Sequence, residues 1–377
     1  SILNASRTMT KAKSIQYMYE GSPTTHSGTF NMTTISIQSA LEGMGDANNG
    51  YHSASFDKFR EKVNEFRDRV QAQYDGANQT ANPVDPYSGD VLIPAFLSTY
   101  TLGGGSSLDI FPALLRLLPN WTIKYAGLSK LPWLRDHFKS VNLNHAYKSV
   151  YSVGSYNSYS SWIEYMGDLG FVRAADGSLT PSSMYNIPTV SINEAFSPLL
   201  GLDVTLNNNL TAKLEYKTTR VLNLSMTSVQ INEALSKDWV IGLGYKFTNL
   251  NLFGSGTNSR KVKGAKKKGQ EEDDNKKSQS KNTSTNRGGL NHDLNTRIDI
   301  SFRNQAAITR DIATGVSSAS SGNSALKISI SADDTLSRFL TLTAYYDRQT
   351  NTPLLSSSSY PTTTQDFGVS MKFSLTR

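Results

Sequence analysis

Cysteine is absent from the 377 residues, which excludes disulfide frameworks and thiolate metal sites. Histidine is scarce: His26, His52, His137, His145 and His292 are scattered, with no paired spacing that suits a metal. Only 37% of the residues are hydrophobic, and no run approaches the roughly 18–20 apolar residues that a membrane helix needs. A bundle of membrane helices is therefore excluded. A membrane β-barrel is not, because its strands are apolar only at alternate positions. The opening SILNASRTMTKAKS lacks an apolar leader, a cleavage site and an initiating Met, so the chain is expected to begin inside a longer protein.

Excess charge is also scarce once it is located. The net +7 is concentrated in residues 260–281 (RKVKGAKKKGQEEDDNKKSQSK), which carry +5, leaving +2 for everything else. Composition predicts a disordered charged insert over residues 254–289. No aromatic residue interrupts its basic run for base stacking, so a nucleic-acid partner is not expected. Affinity for acidic lipopolysaccharide stays open.

What is abundant is period-2 alternation. Trp239, Ile241, Leu243, Tyr245 and Phe247 alternate with Val240, Gly242, Gly244 and Lys246. Leu294, Thr296, Ile298, Ile300 and Phe302 alternate with Asn295, Arg297, Asp299, Ser301 and Arg303. Similar runs cover 141–151, 210–216, 222–226, 326–332, 340–346 and 367–375. Successive side chains of a strand point to opposite faces, so each run has one apolar and one polar face. Some thirteen strands are expected, near 14–19, 29–38, 120–125, 141–153, 189–196, 200–206, 210–218, 221–229, 239–247, 294–303, 325–332, 339–347 and 366–375. Turns are expected at Asn207–Asn209 and Thr218–Arg220, with a break at Ser197-Pro198.

Soluble sandwiches and solenoids also alternate, but two details favour lipid. Aromatics fall near the ends of the runs (Trp239, Tyr245, Phe247, Tyr346 and Phe373), as interfacial girdles require. The opposite face carries charges of both signs that suit a water-filled lumen: Lys213, Glu215, Lys217, Lys246, Arg297, Asp299, Arg303, Lys327 and Lys372. The fold class is thus all-β, an antiparallel transmembrane barrel whose strand count suggests one part of a larger sheet, residues 1–377 being a single barrel domain.

Residues 53–119 interrupt the pattern. Phe56, Phe59, Val63, Phe66, Val70 and Tyr74 recur at helical spacing, with Lys58, Arg60, Glu61, Lys62, Arg67, Asp68 and Arg69 on the other face. An amphipathic helix over 53–75 follows, packed on the barrel or on its own loops. Residues 81–119 are too apolar for a free loop and too broken for a strand, and are expected to fold into the lumen or against a neighbouring protein.

Chemistry is sparse. No G-x-S-x-G, G-x-x-x-x-G-K-[ST] or H-E-x-x-H motif occurs, so no enzymatic activity, cofactor or metal is expected. His145 reads as structural, Asp46–Gly50 (DANNG) as a turn, and Gly242 and Gly244 as places of close packing or strand curvature.

Longer strings carry a family signal. PNWTIKYAGLSKLPWLRDHFKSVNLNHAYKSVYSVGSYNSY (119–159), FSPLLGLDVTLNNNLTAKLEYKTTRVLNLSMTSVQINE (196–233), WVIGLGYKF (239–247) and LTLTAYYDRQTNTPLLSSSSYPTTTQDFGVSMKFSLTR (340–377) resemble the SprA/Sov family. DVLIPAFLSTYT (90–101) resembles the segment that precedes the PNW motif there. That family is the giant outer-membrane translocon of the type IX secretion system of Bacteroidota, and the strings match its C-terminal region in order. The 260–281 insert and the terminal Leu375-Thr376-Arg377 depart from the pattern, the latter lacking a final aromatic.

The resemblance implies protein export across the outer membrane. Folded cargo with a C-terminal sorting domain would pass through a wide barrel and leave by a lateral gate. Implied partners are the rest of the same translocon barrel, a PorV-like shuttle barrel, a periplasmic plug protein, outer-membrane lipid and lipopolysaccharide. Two other classes are weighed: a small-solute porin or TonB-dependent transporter, and an outer-membrane barrel enzyme. With a periplasmic C-terminus, strand parity puts loops 304–324 and 348–365 outside and 333–338 and the long insert 248–293 in the periplasm.

Overall fold

A computed structural model of the chain describes residues 2–16, 25–37, 42–43, 45–75, 82–102, 105, 107–166, 169–250, 292–337, 339–355 and 360–374. The charged insert 254–289 and the final three residues lie outside that set. Among the described residues no helix is long and apolar enough to cross a membrane.

Antiparallel strands dominate. β1 (Ile2–Ser6), β2 (Met9–Gln16), β3 (Thr25–Thr33), β4 (Asn120–Tyr125), β5 (Phe138–Ser158), β9 (Tyr185–Asn186), β10 (Thr189–Leu206), β11 (Leu210–Ser225), β12 (Gln230–Leu250), β13 (His292–Asp311), β14 (Ser317–Ser337), β15 (Leu340–Pro353) and β16 (Thr362–Phe373) form one sheet. Its main path is β1-β4-β5-β10-β11-β12-β13-β14-β15-β16. Among the described residues β16 pairs only β15, and no pairing joins it to β1 or β2, so the sheet has two open edges. A second sheet comprises β6 (Trp162–Met166), β7 (Leu169–Arg173) and β8 (Leu179–Ser183).

Several strands are longer than their alternation suggests. Residues 189–196 and 200–206 form the single strand β10, its register shifting between Phe196 and Leu200. Pro198 cannot donate to the ladder, and the bulge takes it out of the pairing. Gly201 makes room for it, since a Cβ there would meet Pro198 Cγ at 2.8 Å. Likewise 210–218 and 221–229 merge into β11, and Thr218–Arg220 lies mid-strand where a turn was expected. The turn comes at 226–229, with Val229 at φ 53°. Thirteen strands are expected and the large sheet has thirteen, but the count agrees by compensation: the two mergers offset β1 and β9, which alternation did not resolve.

β3 and β4 are two pieces of one strand position. Both pair with the same edge of β5, Thr33 opposite Val150 and Trp121 opposite Tyr147. Ser149 bridges the break: its carbonyl accepts from Thr34 N–H at 3.1 Å, and its N–H donates to Asn120 Oδ1 at 2.8 Å. Between the pieces the chain leaves the sheet to build a helical layer.

That layer contains α1 (Ala54–Tyr74) and α2 (Gly89–Tyr100). Ser53 caps α1, its hydroxyl accepting from Phe56 N–H at 3.2 Å. The buried residues of α1 are Phe56, Phe59, Val63, Phe66, Val70 and Tyr74, the stripe read from sequence. α2 is apolar nearly all round and buried on nearly every side. Pro94 inside it and the absence of a polar face hid it in the sequence. Both helices pack on the sheet through Phe30, Met32, Tyr151, Val153, Val190, Ile192, Leu222, Leu224 and Ile231.

Candidate functional site, a two-faced wall

The pairing register assigns every side chain of the sheet to one of two faces. Tyr216, Trp239, Phe302 and Leu326 stand in one row across β11–β14. Leu214, Ile241, Ile300, Ile328 form the next row, then Ala212, Leu243, Ile298, Ile330 and Tyr346, with Phe367 beside Tyr346 on β16. Val369, Met371 and Phe373 continue the band on β16; Leu3, Ile123, Tyr125, Leu143, Leu202 and Val204 extend it to β1. Many of these apolar residues, Ile241, Leu243, Ile298, Phe302 and Phe367 among them, are exposed. A contiguous exposed apolar surface of this extent marks contact with lipid or protein.

Aromatic rings edge the band on both sides. One rim runs Trp121, Tyr147, Phe196 and then Tyr216, Trp239, Phe302, with centroids 4.5 Å apart for Trp121–Tyr147, 4.7 Å for Tyr147–Phe196 and 4.3 Å for Tyr216–Trp239. Tyr245, Phe247 and Phe373 mark the other, while Tyr125 lies inside the band, level with Leu143, Leu202, Leu214 and Ile241. From Trp239 to Phe247 the band spans about 26 Å along β12 at ~3.3 Å per residue. On β12 the rims lie inside the strand and not at its ends as expected, because β12 runs for 21 residues, about twice what a bilayer crossing needs. Phe373 does end β16, and Tyr346 lies in mid-band beside Ile330 and not at a rim.

All nine charged residues named from the sequence stand on the opposite face. Lys213 and Lys217 reach Glu215 at 3.1 and 3.3 Å, Lys246 reaches Asp293 at 2.9 Å, Arg297 reaches Asp299 at 2.5 Å, and Arg303 reaches Asp238 at 2.6 Å. Lys327 sits between Ser301 and Gln349, and Lys372 opposite Thr341. Gly242 and Gly244 open a hollow of about 300 Å³ among Asp203, Lys213, Arg297 and Asp299. A Cβ on Gly242 would lie 2.8 Å from Asp299 Oδ1, so the glycine admits the carboxylate.

Beyond the aromatic rim, the apolar face changes with what covers it. Under the helical layer it continues as Val190, Ile192, Leu222, Leu224, Ile231 and Ile308, all buried. On β14–β16 the same face turns polar: Ser324 and Thr352 lie beyond the rim, Thr350 and Thr363 in the rim row beside Leu326, and Arg348 and Gln365 one row inside it beside Ile328. His145 belongs to this face too, its Nδ1 2.7 Å from Leu199 O, a structural role as read.

A buried charge belt, not foreseen from the sequence, crosses the boundary between band and layer. Glu194 on β10 stands opposite Arg220 on β11. Arg220 Nε donates to Glu233 Oε1 at 2.7 Å, and Arg310 Nε to Glu233 Oε2 at 2.9 Å. Arg310 Nη1 continues to Tyr51 O at 2.6 Å and Ser317 Oγ at 3.0 Å. Tyr147 Oη donates to Glu194 Oε1 at 2.5 Å and accepts from Ser36 N–H at 2.8 Å. Arg220 also lies 5.7 Å from the Tyr100 ring and Arg310 5.8 Å from the Phe56 ring. The belt thus links the wall to the layer on it. Its trace in the sequence is a charge in the apolar phase of alternation, Arg220 before Leu222 and Glu233 between Ile231 and Leu235.

At the start of α2, Asp90 is buried against β8. Burial pushes its carboxyl up to about 6, and hydrogen bonds from the Ser183 side chain and backbone draw it back down. Among the described residues no group of three His, Cys, Asp or Glu could hold a metal ion. Compared with models of known protein families the chain matches none, and no curated protein matches it.

Proposed function

We propose that this chain supplies part of the wall of an outer-membrane β-barrel that conducts protein, as the resemblance to the SprA/Sov translocon implies. The observation that carries the reading is the exposed apolar band across the sheet, opposite a face of paired charges, in a sheet with two open edges. Lipid covers the apolar face. Water fills the space before the charged face, where ion pairs of alternating sign keep the wall hydrated without holding cargo of one sign. The aromatic rims mark the two interfaces.

In this reading the helical layer stands on the outside of the barrel, beyond the membrane, and not in the lumen, which was one of the two places expected for residues 81–119. Strand parity puts the turns 226–229 and 312–316 on the outer side, and the layer lies at that end of the strands. The open edges await further sheet of the same translocon, and the shuttle barrel, plug and sorting-domain cargo are its implied partners. A small-solute barrel complete within this chain would need β1 or β2 to pair with β16. Placing Lys at Ile241 in the complete translocon tests the reading: export should fail through loss of assembled barrel, while Lys at Ser301 on the charged face should leave it intact. Equal tolerance of both would sink it.

A further inference from the structure

We infer that the connection between β4 and β5 is an interfacial foot that seats in the phospholipid headgroup layer at the end of the sheet that carries the 207–209 turn, opposite the helical layer. The inference rests on the lipid-facing reading of the apolar band. Antiparallel neighbours can be joined by a two-residue turn, yet residues 126–137 form a longer connection with a 3-10 turn at Leu128–Lys130 and the short helix α3 (Pro132–Arg135). Its composition is unusual for a turn: Leu128, Leu131, Trp133 and Leu134 are spaced among Lys130, Arg135 and, just beyond, Lys139.

Trp133 is 71% exposed and Leu131 39% exposed, although Leu128 and Leu134 beside them are half-buried. A large aromatic held in water this fully has no role in the packing of the chain itself. The connection is fixed to the sheet and does not float free: Asn207 Nδ2 donates to Asp136 O at 2.9 Å and Asn207 N–H to His137 O at 3.2 Å. It ends at Phe138, which pairs Leu206 at the 207–209 turn and so lies level with Tyr245 of the second aromatic rim.

The chemistry on offer fits one occupant. An indole with an apolar body and a polar edge prefers the depth of lipid headgroups. Lys130, Arg135 and Lys139 beside it suit phosphate, and long basic side chains extend from an apolar surface toward water. A protein partner would be expected to meet a groove or an aligned edge; the foot offers neither.

Two single-tryptophan forms of the chain test this, because the sequence holds only Trp121, Trp133, Trp162 and Trp239. One carries W121F, W162F and W239F and keeps Trp133; the other carries W121F, W133F and W162F and keeps Trp239 as a reporter on the band. Both are carried in the complete translocon, its tryptophans outside this chain replaced by phenylalanine, and reconstituted in phosphatidylglycerol and phosphatidylcholine bilayers brominated at shallow or deep acyl positions. The foot is supported if Trp133 emission is lost to the shallow bromines more than to the deep ones and resists aqueous iodide. If Trp239 is quenched by lipid while Trp133 is quenched by iodide alone, the foot is overturned and the band reading survives. Trp133 shielded from both quenchers would mean a protein cover and overturn it too. Quenching of neither residue by lipid would overturn the band reading and the foot with it.

Discussion

The strongest constraints at the residue scale are charges held where water is excluded. Glu233 sits between Arg220 and Arg310, each with at most 5% of its side chain exposed. Removing one member of such a buried set leaves uncompensated charge and costs about 3–5 kcal/mol. Glu233→Leu is therefore expected to destabilise the chain by that amount in urea unfolding. Adding Arg220→Met and Arg310→Met should recover most of the loss, since buried ion sets are often replaceable by apolar groups. Asp90 is the simpler case. Its folded carboxyl titrates at about 6 against an ordinary 3.8, so the folded state holds the proton more tightly. Its contribution to stability is fully present below pH 3.8 and is lost as pH rises through about 6. At 1.4 kcal/mol per unit the span amounts to about 3 kcal/mol. Asp90→Asn should remove this pH dependence and stabilise α2 at neutral pH, read as slower amide hydrogen exchange across Val91–Tyr100 at pH 7.5 with little change at pH 4.

Each strand of the wall is written in two zones, and alternation read only one of them. The band was legible because its apolar and charged phases contrast strongly: Ile298 and Ile300 against Arg297 and Asp299. Beyond the rim the contrast weakens. In 320–324 both phases are small and polar, and in β11 the apolar phase itself carries Arg220, so the strand read as a turn. α2 was missed for the converse reason, having no polar face to set a period. The face assignments of the nine charged residues and five aromatics were nevertheless available, because parity survives uncertainty about where a strand ends. A charge on the lipid-facing midplane of a barrel costs about 2–4 kcal/mol, and much less at the rim or in the lumen. Ile300→Arg is accordingly expected to lower folding stability in lipid vesicles by that amount, Phe247→Arg by less, and Ser301→Arg scarcely at all. Equal effects at all three positions would contradict a lipid-facing band.

At the scale of the whole molecule, the two open edges decide what the chain can do alone. β16 and the β1–β2 edge each present one unpaired side among the described residues. A free edge is a template for further pairing, and a wall open on both sides encloses no pore. The chain inserted by itself into a planar bilayer should give no stable unitary conductance. Reproducible single-channel steps would instead favour a complete small-solute barrel.

The break between β3 and β4 has a consequence for how such a wall can be modified. Because Thr33 and Asn120 flank the single residue Ser149 on β5, everything from 34 to 119 is a graft whose two ends meet. It enters and leaves without advancing the register of any strand, so it can be gained or exchanged as a unit while the ladder of pairings stays in step. The wall beneath has been adapted to it, with leucine and isoleucine where β14–β16 keep serine and threonine. Excision would thus demand a second edit: short polar replacements at Val190, Ile192, Leu222, Leu224 and Ile231, written in the vocabulary the bare strands already use.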